Sequence, residues 1–251
     1  MEESSSELQS RCYEEWMKLQ EQELSELLEA IHGDHSNEEN SKTRLLNLIQ
    51  NCLQHFRDYS KRRNELAASD VSPYFAPNWC STLEGSMLWI GGCRPSMFIR
   101  LLYAKIGKEI ESGLEQQAKL GGVSATQMCL INSLQAEIIK EEDKLSAKLT
   151  SLQEDLADQP IALIADDENS HREENNRIAD EALDNHAEST VKLLEEADEL
   201  RIRTLKELIL GILSPLQAVE FLAASKKLRL CIREWGRRRD NRHGRNMTDN
   251  S

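Results

Sequence analysis

The chain has 251 residues, with 31 Lys and Arg against 44 Asp and Glu for a formal charge of −13, and only 5% of its side chains are aromatic. That balance repels phosphate backbones and excludes nucleic-acid binding through a general positive field. With 11 Gly and 5 Pro there are few positions for tight turns, so a few long helices are favoured over many short strands.

The first residues, MEESSSELQS, lack the basic and apolar regions of a signal peptide. From Glu7 to Ile31, apolar side chains including Leu8, Cys12, Trp16, Leu27 and Ile31 recur every three or four positions, which predicts an amphipathic helix stopped by Gly33. After the polar run HGDHSNEENSK, a second helix reaches about Ala68 on Leu45, Ile49, Cys52 and Phe56, and the two should pair antiparallel. Residues 70–107 hold three of the five prolines, two of the four tryptophans and Gly91-Gly92, marking an irregular core. There, Ser81 or Thr82 can cap a short helix through Leu88 to Ile90, and Ser96 to Ile106 forms another behind Pro95.

Ser124 opens a long helix that ends before Pro160, and after the crossover PIALIADDENS a second long helix carries Leu183, Ala187, Val191, Leu194, Leu205 and Leu208 inward. The two are expected to pack as a hairpin. Ser214-Pro215-x-Gln217 spells a cap, a proline at the first helical position and a capping-box partner, which predicts a final helix from Pro215 to about Trp235. The expected architecture is all-α, an antiparallel helical bundle with two long central helices. Its domain spans 11–236, between a flexible N-terminus, 1–10, and a disordered basic tail, 237–251. The longest apolar stretches, such as LILGIL at 208–213, are too short to span a membrane, so an intracellular soluble chain is expected.

Catalytic signatures are missing: there is no Gly-x-Ser-x-Gly, Gly-x-x-x-x-Gly-Lys, Gly-x-Gly-x-x-Gly or His-Glu-x-x-His, and no enzyme is expected. The six cysteines have no Cys-x-x-Cys spacing and read as small buried apolar residues. His32 and His35 flank a loop tip and read as solvated surface rather than metal ligands; no metal site is expected. Residues 164–200, with thirteen acidic and three basic side chains beginning near Asp166-Asp167-Glu168, read as a solvated helix face. Tyr13 and Trp16, at i and i+3, are either core or an aromatic hot spot. The last helix sets Lys226, Lys227, Arg229 and Arg233 around Phe221, Leu222, Ile232 and Trp235, which fits a terminal core helix with a solvated basic face or a calmodulin target. Arg237-Arg238-Arg239 resembles a nuclear import signal, so nucleus and cytoplasm are the expected locations.

Four stretches, CYEEWMKLQ (12–20), PYFAPNWCSTLEGSMLWIGGCRPSMFIRLLYA (73–104), SLQEDLADQPIA (151–162) and LLEEADELRIRTLKELILGILSPLQAVEFLAASKKLRLCIREWG (193–236), closely resemble the plant delay-of-germination family. A more distant form of the domain follows the basic leucine zipper of TGA-type transcription factors. The resemblance implies an all-helical regulatory module of seed dormancy, abscisic-acid signalling and transcriptional control, with type 2C protein phosphatases or transcription factors as partners. It also places partner contacts at Tyr13, Trp16 and Met17, which match the family's Tyr-x-x-Trp-Met element. The sequence departs from the family in two ways. No basic leucine zipper precedes the domain, so DNA binding in the manner of the TGA factors is not expected, and the rival reading is a sequence-specific transcription regulator that contacts DNA through the basic C-terminal tail. Arg229 and Arg233 stand where the family's founding type has haem-ligating histidines, and arginine cannot ligate iron, so no cofactor is expected.

Overall fold

The computed structural model describes residues 4–33, 38–111, 119–166 and 172–245. His35, Asp167, Glu168 and the last six residues lie outside them. The described residues form eight α-helices and no strand: α1 (Ser5–His32), α2 (Glu38–Ala67), α3 (Thr82–Ser86), α4 (Ser96–Glu111), α5 (Ala125–Asp155), α6 (Ile161–Asp166), α7 (Arg172–Lys206) and α8 (Pro215–Arg242). No described helix is long and apolar enough to cross a membrane.

Four helices start on a Ser capping box, in which the serine accepts from the backbone of the third helical residue and that residue's side chain bonds back: Ser4/Glu7, Ser81/Glu84, Ser124/Gln127 and Ser214/Gln217. Two N-termini also receive carboxylates from distant helices. Glu142 of α5 accepts from the Ser96 amide (2.6 Å) at the start of α4, and Asp240 of α8 accepts from the Thr82 amide (2.9 Å) at the start of α3. Free N–H groups and the positive end of the helix dipole favour a carboxylate at such a place.

α1 and α2 are antiparallel, tied by Arg62 to Glu15 (2.6 Å) and His55 to Glu23 (3.0 Å). α8 also packs along α1, with Lys226 beside Glu23 and Arg233 beside Glu14, again antiparallel. The hairpin of α5 and α7 is pinned by Lys148–Glu196 (2.5 Å) and Arg203–Glu137 (3.5 Å). α7 passes directly into a π-helical stretch, Glu207–Ile212, where the Leu213 amide reaches the Leu208 carbonyl (2.9 Å) five residues back. The wider turn buries the adjacent Leu208 and Ile209 together.

Four sequence expectations are corrected. α8 does not stop near Trp235: Gly236 lies inside the helix with Ser81 against it, and Asp240 is buried where it caps α3, so residues 237–242 are helical rather than a disordered tail. At the other end, α1 begins at Ser5, within the stretch read as flexible, because Gln9 is buried with its amide on the Asp70 carbonyl (2.7 Å). Leu183 is not on an inner face; it is 47% exposed. Among the cysteines, all free, Cys129 is exposed rather than buried.

Candidate functional site

The centre of the bundle is polar. The loop between α3 and α4 folds back at Trp89–Gly92, where the Trp89 amide bonds the Gly92 carbonyl (2.7 Å) and the Gly92 amide returns to Trp89 (3.1 Å). Its two central residues have positive φ, Ile90 at 44° and Gly91 at 65°, as the tightest hairpin turn requires. For a β-branched residue this is strained backbone, and it persists only where the surroundings over-determine it.

Two buried arginines do so. Arg201 of α7 donates through Nε to the Cys93 carbonyl (2.8 Å) and through Nη2 to those of Trp89 (2.5 Å) and Ile90 (2.8 Å). Arg63 of α2 donates to the Gly91 carbonyl (2.8 Å). Both guanidinium groups share Oδ1 of Asp198, Arg201 at 2.7 Å and Arg63 by a short contact. Burial pulls Arg201 below the ordinary arginine value while Asp198 opposes the shift. Gly92 is needed for space: a Cβ there would lie 2.9 Å from Cζ of Arg201.

Rings flank these cations. Arg201 and Arg94 stand 5.4 and 5.6 Å from the Trp89 ring, Arg63 lies 5.8 and 5.7 Å from Tyr59 and Tyr74, and Arg233 is 5.2 Å from Tyr13. A desolvated guanidinium over an aromatic face is favourable by about 1–2 kcal/mol.

Beside this network is a cavity of about 150 Å³. Tyr13 and Trp16 of α1 and Phe56, Tyr59 and Arg63 of α2 form one wall. Trp79, Cys80, Met87 and the glycine pair form another, and α4, α7 and α8 close it with Phe98, Asp198, Arg201 and Arg229. No histidine lines it. Burial and the neighbouring Glu84 push the Cys80 thiol up to about 12, so it is a poor thiolate ligand.

The residues expected to meet partners separate into two groups. Tyr13, Trp16 and Met17 are core, 9, 5 and 2% exposed. Trp16 stacks on Tyr59 at 4.5 Å, and the Tyr13 hydroxyl donates to Glu84 (2.6 Å). Lys226 is inward too, its ammonium on Glu23 (2.6 Å) and Gln20 (3.2 Å), and Arg233 is buried on Glu14. The inner face of α8 is apolar at Ala218, Val219, Phe221, Leu222 and Ala223, and its Lys226 and Arg233 turn inward onto acids of α1 rather than forming part of a basic face turned to solvent. Lys227 and Arg237 to Arg239 are exposed, as is Trp235 at 45%. Sequence reasoning did not single out Arg63, Asp198 and Arg201. The available signal was their register, since each falls on a stripe otherwise filled by buried apolar residues, as in Leu194, Ala197, Arg201, Thr204 and Leu208. Among the described residues no group of three or more His, Cys, Asp or Glu is arranged for a metal ion.

Comparison with known proteins is consistent over nearly the whole chain. The sequence model of a family described as seed dormancy control matches residues 22–104. Protein DOG1-like 3 of Arabidopsis thaliana is 38% identical across 96% of this chain and 89% of its own length, and Protein DOG1-like 2 of the same plant is 39% identical across 94% of each. Transcription factor TGA1 of Arabidopsis thaliana is 27% identical across 90% of this chain and 55% of its own length. None of these names is that of an enzyme.

Proposed function

This chain belongs to the DOG1-like family of seed dormancy control, and from that membership we propose that it is a non-enzymatic regulator acting through protein partners. The partners are type 2C protein phosphatases of abscisic-acid signalling, and transcription is reached indirectly, through transcription factors, in the nucleus and cytoplasm. The observation that carries the reading is how the central polar groups are used: the two buried arginines are occupied by backbone carbonyls and Asp198, holding a loop in shape.

Trp235 is the better anchor for a partner than Trp16. It is a large exposed aromatic with Arg238 and Arg239 three and four positions on, the composition of an interface hot spot. The exposed Arg237 to Arg239 also support nuclear import. A calmodulin target is disfavoured, because exposing Leu222 would require α8 to leave the bundle and break its pairs with Glu23, Glu14 and Thr82.

The protein works without haem. Arg229 and Arg233 cannot serve as axial ligands, and the latter is committed to Glu14. Added hemin should therefore give no shifted, saturable Soret band. Phosphatase assays with purified type 2C enzymes test the main reading: inhibition or complex formation is expected, weakened by Trp235→Ala. Folded protein that neither binds nor inhibits any such phosphatase would remove it.

A further inference from the structure

We infer that the central cavity is a binding site for a small aromatic monocarboxylate, with the Arg229 guanidinium as its anionic anchor. The volume, about 150 Å³, is that of an apolar cavity able to hold a single benzene ring. The rings of Trp16, Phe56, Tyr59 and Trp79 on its walls favour a flat aromatic body by stacking and edge contacts.

Charge decides the polar end. Three guanidinium groups line the cavity, and its two carboxylates are already engaged. Asp198 accepts from Arg63 and Arg201, while Glu84 accepts from Tyr13 and from the backbone and hydroxyl of Ser81. Arg229 is left: among the described residues it makes no hydrogen bond or ion pair, although it stands half-buried between helices. A cation in that position leaves a net positive charge that an anion would neutralise.

A carboxylate fits the planar fork of a guanidinium with two parallel bonds, whereas a phosphate dianion would lose more hydration in so apolar a cavity.

Calorimetry and tryptophan fluorescence on the full chain with phenylacetate, phenylacetamide and hexanoate test the assignment. Phenylacetate should bind saturably, and the neutral amide and the non-aromatic acid each roughly tenfold more weakly, as expected for loss of a charge-assisted bond or of ring contacts. Arg229→Gln should abolish the preference for acid over amide without lowering the melting temperature, and Lys227→Gln, on the solvent side of the same helix, should change neither. No saturable binding of phenylacetate at millimolar concentration would overturn the proposal. So would equal affinity for acid and amide in the unaltered protein, hexanoate binding as tightly, or phenylacetate binding that Arg229→Gln leaves unchanged.

Discussion

Asp198 offers one oxygen to two guanidinium groups that together hold four carbonyls of the loop at 89–93. Removing it leaves two buried cations facing each other, so Asp198→Ala should destabilise by about 3–5 kcal/mol in urea denaturation, the range for breaking a buried ion pair. The tryptophans behave oppositely by position. Trp16→Ala empties a stacked core site and should cost about 3–5 kcal/mol, whereas Trp235→Ala, at an exposed site, should stay within about 0.5 kcal/mol. The sequence shows that Tyr13 and Trp16 share a helix face, but whether that face is covered depends on α2 and α8, which no local pattern specifies. The same holds for Arg229: its register puts it inward, while its lack of a hydrogen bond or direct ion pair emerges only when every neighbouring helix is in place.

Helix boundaries were legible wherever a cap is written locally. The Ser214-Pro215-x-Gln217 and Ser124-x-x-Gln127 signals fall where α8 and α5 begin, because a capping box is closed within four residues. The end of α8 was not legible, since what extends it past Gly236 is a contact 158 residues away in sequence, Asp240 on Thr82. Gly236→Ala should be destabilising by about 1–3 kcal/mol, because its Cβ would fall 2.0 Å from Ser81 Oγ at the start of α3. Bonds from the Thr82 hydroxyl and amide hold the Asp240 carboxyl below the ordinary aspartate value. A depressed carboxylate contributes stability that is complete above its unfolded value, about 3.9, and is lost as pH falls through the folded one. Asp240→Asn should therefore lower the melting temperature near neutrality and reduce the loss of stability on acidification. Truncation after Trp235 should do the same.

At the scale of the whole molecule, a charge of −13 coexists with an exposed arginine cluster at one end of α8, and salt separates the two kinds of partner this permits. If duplex DNA were the partner, the five arginines between Arg237 and Arg245 would be its contacts. With one phosphate neutralised by each, the log–log slope against salt would be about −4.5, and affinity would fall several-hundred-fold between about 50 and 200 mM. The remaining acidic surface opposes even that binding, so no retarded DNA is expected at physiological ionic strength. A protein partner seated on Trp235 draws on apolar burial instead, which salt does not screen. Its affinity should change by less than about tenfold over the same range and should be weakened by Trp235→Ala. A steep salt dependence of phosphatase binding, unaffected by that substitution, would assign the interface to the arginines rather than to the tryptophan.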